Sequence, residues 1–378
     1  MEGRPPVLPT QGTPFRFEGP VGPELLIDRQ DELDVLARRA ADRVSVRLAA
    51  PRRYGKTSLL LAHARRLRDS SWRTAHVDLS RVTDLTDVAR RLAAAYAHLD
   101  PGWVRAHLTG LLARLGVGLS AAGPAVSVFA RPPAPDPQAA ETVLYRLLDL
   151  PLELHRGDGT PTLVVLDEFQ DLLVARKDLD GLLRSRIQYH GDAAAYVYAG
   201  SEPSMMRRLF DARERPLFGQ ADPLALGPLP LEETLRGLHG RFAAEGQDPG
   251  EALAELVAFA AGHPQRTMLL AYLLSERLAA GEPGTPETAA RVVDDAVART
   301  QPAHQALFGQ LGGSERVVLA AAADGVPPGS RALAAEHRLA RRTLDVAAGR
   351  LVDQGHLVRD AAGARPVDPL LGEWLRRR

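Results

Sequence analysis

The sequence contains no cysteine. That absence excludes disulfides, thiolate zinc sites, iron–sulfur clusters and cysteine nucleophiles together. There is no apolar run of about 18 residues, and the start, "MEGRPPVLPTQGTP", lacks the apolar core of a signal peptide. Neither a membrane span nor a secretory leader is expected, and the chain reads as a soluble cytoplasmic protein. Net charge is also missing: 47 Lys and Arg stand against 47 Asp and Glu. No overall field therefore draws nucleic acid or a membrane, and any such binding must come from a local patch. The eleven histidines show no paired metal-ligand spacing on a common face.

Lysine is nearly absent too. Of the 47 basic residues only Lys56 and Lys177 are lysine, in an Arg- and Ala-rich composition typical of a GC-rich bacterial genome. Arginine serves well as a solvated charge, whereas a phosphate-binding loop calls for a compact ammonium, so Lys56 stands out.

A length of 378 residues predicts two or three domains. After a Pro/Gly-rich leader (1–24), "LLIDRQDELDVLARRAAD" places Leu33, Leu36 and Ala40 behind an acidic first turn, as in an amphipathic helix. "VSVRLAA" then reads as a strand and "TSLLLAHARRLRD" as a helix. Three further apolar runs, at 72–80, 161–169 and 193–201, and a weaker one at 222–230 alternate with helical stretches. The expected fold class is α/β, with a parallel sheet of about five strands covered on both faces, in a core spanning 25–230. Residues 101–140, rich in Gly, Ala and Pro, read as an insertion or mobile loop. From 231 to 311 the pattern is that of a small helical domain. Residues 312–378 give three helices and a hairpin-like end, the order of a winged helix-turn-helix.

Between the first strand and its helix lies "APRRYGKT", residues 50–57. A phosphate loop asks for Gly, four residues, then Gly-Lys-Ser/Thr; Gly55, Lys56 and Thr57 fit, while Ala50 replaces the first glycine. The backbone of Pro51, Arg52, Arg53, Tyr54 and Gly55, followed by Lys56, Thr57 and Ser58, would converge on the phosphates of a nucleotide at the positive end of a helix. Lys56 would span the β- and γ-phosphates, and the Thr57 hydroxyl would bind Mg2+. The second signal is "TLVVLDEFQDLL": a buried strand ends in Asp167 and Glu168, at the sheet edge where ligands bind. Asp167 would support Mg2+ and Glu168 would orient and deprotonate the attacking water. Ser201, at the end of the next apolar run, is a candidate for contact with the γ-phosphate or that water. Arg207, Arg208, Arg213 and Arg215 are candidates to act in trans on a neighbouring subunit, and Arg266 to act in cis.

Near the C-terminus, Arg331, Arg338, Arg341 and Arg342 fall on the second and third expected helices, and Arg359 and Arg365 on the wing. From Ser314 onward eleven arginines face eight acidic residues. That modest excess suits phosphate contacts with double-stranded DNA, and it suits a protein-docking module nearly as well.

Taken as a set, these residues resemble the AAA+-like archaeal ATPase family, related to the origin-recognition ATPases and to the signal-transduction ATPases with numerous domains. The matching pieces are "LIDRQDELDVL", "PRRYGKTSLL", "VVLDEFQDL", "AGSEPSMMRRLF", "RPLFGQ" and "GHPQRTMLLAYLL", from about residue 25 to 278. The resemblance implies sheet order 5-1-4-3-2, a helical lid, a winged helix, ATP rather than GTP, and adenine packed near Ile27 and Arg29. The sequence departs from the family at Ala50 and at Gln220, where the family often shows arginine. ATPases of this architecture often place their sites at subunit interfaces, so ATP-dependent self-association is implied too. The leading expectation is an ATP-hydrolysing switch whose lid moves a winged helix on DNA or a protein partner; the rivals are a nucleotide-gated signalling or defence scaffold with slow turnover and, more weakly, a winged-helix transcription regulator with a degenerate ATPase body.

Overall fold

The computed structural model describes residues 13–99, 102–113, 115, 117–122, 125–130, 137–360 and 363–378. Its contacts divide the chain into two units. The sheet unit comprises 29–52 and 56–226; the helical unit comprises the described residues up to 28, the loop residues 53–55, and 227–378.

Five strands build the main sheet of the sheet unit: β1 (Val46–Ala49), β2 (Arg73–Asp78), β3 (Thr162–Asp167), β4 (Ala194–Gly200) and β5 (Asp222–Ala225). Every pairing is parallel and the order is 5-1-4-3-2. The two central runs, "TLVVLD" and "AAYVYAG", are buried at every position. Strands covered on both faces lose the alternation of a half-exposed sheet, which is why these segments read as continuous apolar runs. β5 is the partly exposed edge, and only four residues of the weak apolar run at 222–230 belong to it.

Eight helices accompany the sheet: α1 (Gln30–Ala41), α2 (Lys56–Asp69), α3 (Leu85–Tyr96), α4 (Trp103–Ala113), α5 (Pro137–Asp158), α6 (Leu172–Ala175), α7 (Leu179–Ile187) and α8 (Pro203–Asp211). α1 carries Asp31 and Glu32 in its first turn and Arg38 and Arg39 in its last, charges that oppose the helix dipole at both ends. Asp84 caps α3 by accepting from the Asp87 amide at 2.9 Å. The stretch 101–140, expected as an insertion or mobile loop, carries α4, an antiparallel hairpin of Val117–Ala122 with Ala125–Ala130, and the start of α5. Residues 131–136 within it lie outside the described residues.

The helical unit holds α9 (Leu231–Ala244), α10 (Ala252–Ala260), α11 (Pro264–Ala279) and α12 (Pro286–Gln310). After them come α13 (Gly313–Ala323), α14 (Arg331–Glu336), α15 (Arg341–Asp353), an antiparallel hairpin of Leu357–Asp360 with Gly363–Pro366, and α16 (Pro369–Arg376). Phe15 packs on Phe242 with ring centroids 4.4 Å apart, and Arg241 donates to the carbonyls of Pro14 and Leu25. The described part of the leader is therefore bound into this unit. No helix among the described residues is long and apolar enough to cross a membrane.

One buried group makes the sheet unit sensitive to acid. His63 on α2 is fully buried, neither ring nitrogen has a hydrogen-bond partner, and burial pushes its pKa from 6.5 down to about 4. The unfolded chain binds this proton below about pH 6.5 and the folded one does not, so stability is present above that pH and lost as pH falls toward 4. The loss from this group alone is about 1.4 kcal/mol per pH unit. A His63→Leu variant should show a shallower fall in Tm between pH 7 and 5 than the parent; equal slopes in thermal melts would contradict this.

Candidate functional site

A parallel sheet presents the carboxyl ends of all its strands at one edge, and the chain's acidic and loop motifs gather there. Beyond β1 the chain turns through Ala50 and Pro51 toward α2. Ala50 is buried and its amide donates to the Gly200 carbonyl at 3.3 Å, tying the loop's base to β4. Positive φ falls on Arg53 (68°) and Gly55 (83°), and Ala50 is not among the residues that adopt it. The methyl in place of the usual first glycine is thus accommodated without left-handed backbone. At Gly55 an added Cβ would meet nothing within 4 Å, so its backbone angle, not space, is what calls for glycine.

Lys56 opens α2 and is 6% exposed. Burial lowers its ammonium pKa, and Glu168 and Asp167 act against that shift. Its Nζ lies 3.8 Å from Glu168 Oε1. The next residue, Thr57, donates its hydroxyl to Asp167 Oδ2 at 3.1 Å, while Asp167 Oδ1 accepts from the Glu168 amide at 3.0 Å. Burial acts to raise the Asp167 pKa, but His76, whose Nε2 stands 3.4 Å from Oδ2, and Lys56 outweigh it and hold the carboxylate below its usual value. Ser58 is buried one residue further along the helix.

Glu168 sits in left-handed backbone (φ 50°), a conformation that a residue with a side chain adopts only when its surroundings enforce it. Its Oε2 accepts from the Ser201 hydroxyl at 2.6 Å and from the Ser201 amide at 3.2 Å. Ser201, expected to touch phosphate or water, is 1% exposed and has its hydroxyl committed to Glu168. Lys56, Thr57, Asp167, Glu168 and Ser201 are thus brought together within one unit.

The other candidates are placed differently. Arg29 is buried and pairs with Glu32 at 2.8 Å at the start of α1. Ile27 belongs to the core of the helical unit, where it packs against Gly237 of α9. Arg215 pairs with buried Asp180 at 2.8 Å, while Arg207, Arg208 and Arg213 are exposed. Arg266, expected as a cis arginine, is 2% exposed and engages Asp368 through Nε at 2.9 Å and through a second nitrogen. His304 Nε2 lies 3.3 Å from the same carboxylate. These partners overcome burial and hold Asp368 well below the usual carboxylate range. In the same unit the Tyr54 ring meets His263 edge-on, with centroids 5.1 Å apart, and burial pushes the His263 pKa down to about 4.

Sequence reasoning missed two residues. His76 faces Asp167 from β2, paired in register beside β3. Gln170 donates to Glu168 Oε2 at 2.6 Å. Its signal was position, two residues beyond a strand-ending acid, where a tight turn returns the side chain to that acid.

A phosphate-type loop after the first strand of a parallel 5-1-4-3-2 sheet, with an Asp-Glu pair ending the third strand, defines a P-loop NTPase fold of the AAA+ type. The solved structures agree. The chain is similar to the Walker-type ATPase paby2304 of Pyrococcus abyssi, with TM-score 0.70 and 18% identity over 96% of this chain and 100% of that one. It is also similar to the ORC2 protein of Aeropyrum pernix in its ADPNP–ADP complexes, with TM-score 0.61 and 16% identity over 96% of each chain. No protein-family model matches the chain, and no curated protein matches it in sequence. At these identities the likeness establishes the fold alone.

The Arg266–Asp368 pair generates a stability prediction. Removing one partner of a buried ion pair strands the other charge, at a cost of about 3–5 kcal/mol. Asp368→Asn, which keeps a capping side chain for α16, should be destabilised on that scale in urea melts. Adding Arg266→Met should recover most of the loss; losses that simply add would contradict the pairing.

Proposed function

We propose that this protein is an ATP-binding and ATP-hydrolysing switch. The observation that carries the reading is the convergence of Lys56, Thr57, Asp167 and Glu168 at the carboxyl edge of the sheet. A buried ammonium at a helix N-terminus suits phosphate, since loop amides and Lys56 would together meet the charge of the β- and γ-phosphates. Adenosine nucleotide is favoured because the fold is shared with a protein solved with ADPNP and ADP.

The oxygen donors also fit magnesium. A hydroxyl and a carboxylate face each other 3.1 Å apart, and the described residues hold no group of three or more His, Cys, Asp or Glu that could cage a metal. Magnesium characteristically takes few protein ligands and completes its shell with water and substrate phosphate. Thr57 and Asp167 would hold it, and its charge would offset that developing on the phosphates. Glu168 orients the attacking water and accepts its proton as the bond to the γ-phosphate forms, yielding ADP and phosphate.

The C-terminal elements act as the output in this reading. Three helices, a hairpin and a closing helix follow the order of a winged helix, and Arg331, Arg338, Arg341, Arg342 and Arg359 are exposed on it. Exposed arginines suit phosphate contacts with double-stranded DNA, and a protein partner is the other occupant of such a module. Because Asp368 begins α16 and holds Arg266 of α11, a displacement of α11 would carry the last helix with it. Arg207, Arg208 and Arg213 are free in exposure to meet a second copy, so ATP-dependent self-association belongs to the proposal. A nucleotide-gated signalling or defence scaffold with slow turnover is the other reading of the same site.

Steady-state ATP hydrolysis with and without double-stranded DNA separates these readings. Lys56→Ala should lose ATP binding, and Glu168→Gln should bind ATP yet turn over at least about 100-fold more slowly. Equal turnover in Glu168→Gln and the parent would contradict the assignment. Stimulation by DNA that weakens with salt would identify the output as phosphate contact.

A further inference from the structure

Glu168 has two carboxylate oxygens in different surroundings. Oε1 faces Lys56 Nζ at 3.8 Å, while Oε2 accepts three hydrogen bonds, from the Ser201 hydroxyl, the Ser201 amide and Gln170 Nε2. An oxygen with three donors has no lone pair to spare for water, so Oε1 is the oxygen the carboxylate presents for chemistry.

Gln170 is built into this arrangement. It is 3% exposed, and its amide nitrogen lies between two carboxylates, 2.6 Å from Glu168 Oε2 and 3.3 Å from Asp171 Oδ1. The amide orientation follows, because the flipped form would set its carbonyl against two negative oxygens. The backbone brings it there: Glu168 in left-handed conformation starts the short 3-10 turn Phe169–Asp171, which sends the Gln170 side chain back beneath Glu168. Space comes from Gly200, where an added Cβ would stand 2.6 Å from Gln170 Oε1 and 2.6 Å from Met206 Sδ. Gln170 Oε1 is buried and has no hydrogen-bond partner. A buried amide that forgoes half of its hydrogen bonding is a costly residue to place here on packing grounds alone.

We infer that Gln170 is a positioning residue for ATP hydrolysis, anchoring Glu168 through Oε2 so that Oε1 faces the attacking water. The inference rests on the reading of Glu168 as the base. Gln170 itself touches neither nucleotide nor water and acts only through Glu168.

The test is steady-state ATPase kinetics on the full chain in four forms: parent, Gln170→Met, Glu168→Gln and the double variant. Methionine keeps the volume and removes the donor. Gln170→Met should lower kcat about tenfold or more while KM for ATP stays within about twofold, since a misaimed catalytic group costs rate and not binding. In the Glu168→Gln background the same change should have no further effect. Gln170→Glu, which sets a carboxylate against Glu168, should show the same loss in kcat and serves if the methionine variant folds poorly. An unchanged kcat in both Gln170 variants, alongside a slow Glu168→Gln, would overturn the positioning role and leave the base assignment standing. So would an equal loss in both backgrounds, the mark of a general packing defect. If Glu168→Gln turns over like the parent, the base assignment fails and the positioning role falls with it.

Discussion

The Thr57–Asp167 hydrogen bond is the constraint on which the site depends. It joins the first turn of the helix after β1 to the end of β3, residues 110 apart in sequence. A bond to a charged acceptor contributes about 1.5–3 kcal/mol. Its larger effect is geometric. With the helix N-terminus fixed against the strand end, Lys56 is buried beside two carboxylates, and a buried ammonium is tolerable only with such neighbours. Parallel strand order supplies the rest, because β3 and β4 end at the same edge and bring Asp167, Glu168 and Ser201 together.

The helical unit contains a second charged centre of another kind. Asp368 accepts from Arg266, from His304, and from the amides of Leu370 and Leu371 that open α16. One carboxylate thus caps the last helix and holds an arginine 102 residues earlier. Buried ion pairs of this sort contribute little net stability compared with apolar packing, yet they penalise any arrangement that separates the partners. The pair ties α11 to the start of α16.

Much of the sheet unit was legible in the sequence. Continuous apolar runs such as "TLVVLD" reflect burial on both faces, and the alternation of runs with helical periodicity specifies parallel strands. Gly55, Lys56, Thr57, Asp167 and Glu168 stood out because their chemistry depends on local order along the chain. What escaped was non-local. Nothing near Ser201 marks Glu168 as its acceptor, and nothing near Arg266 marks Asp368. The hairpin at 117–130 was hidden because its short Gly- and Ala-rich strands carry no strong period. Ala50 looked like a defect only while the φ angle at that position was unknown. The structure puts left-handed backbone three and five residues later.

The central claim is that the hydroxyl of Thr57 and the carboxylate of Asp167 form the seat for a magnesium nucleotide. Calorimetric titration of ATP into the nucleotide-free protein, with magnesium and then with chelator, tests it most directly when done on the parent and on Thr57→Val, which keeps the shape and removes the hydroxyl. The account predicts one saturable site, tightened about tenfold or more by magnesium in the parent and little changed by it in the variant. Equal tightening in both proteins, or no saturable binding by the parent, would contradict it.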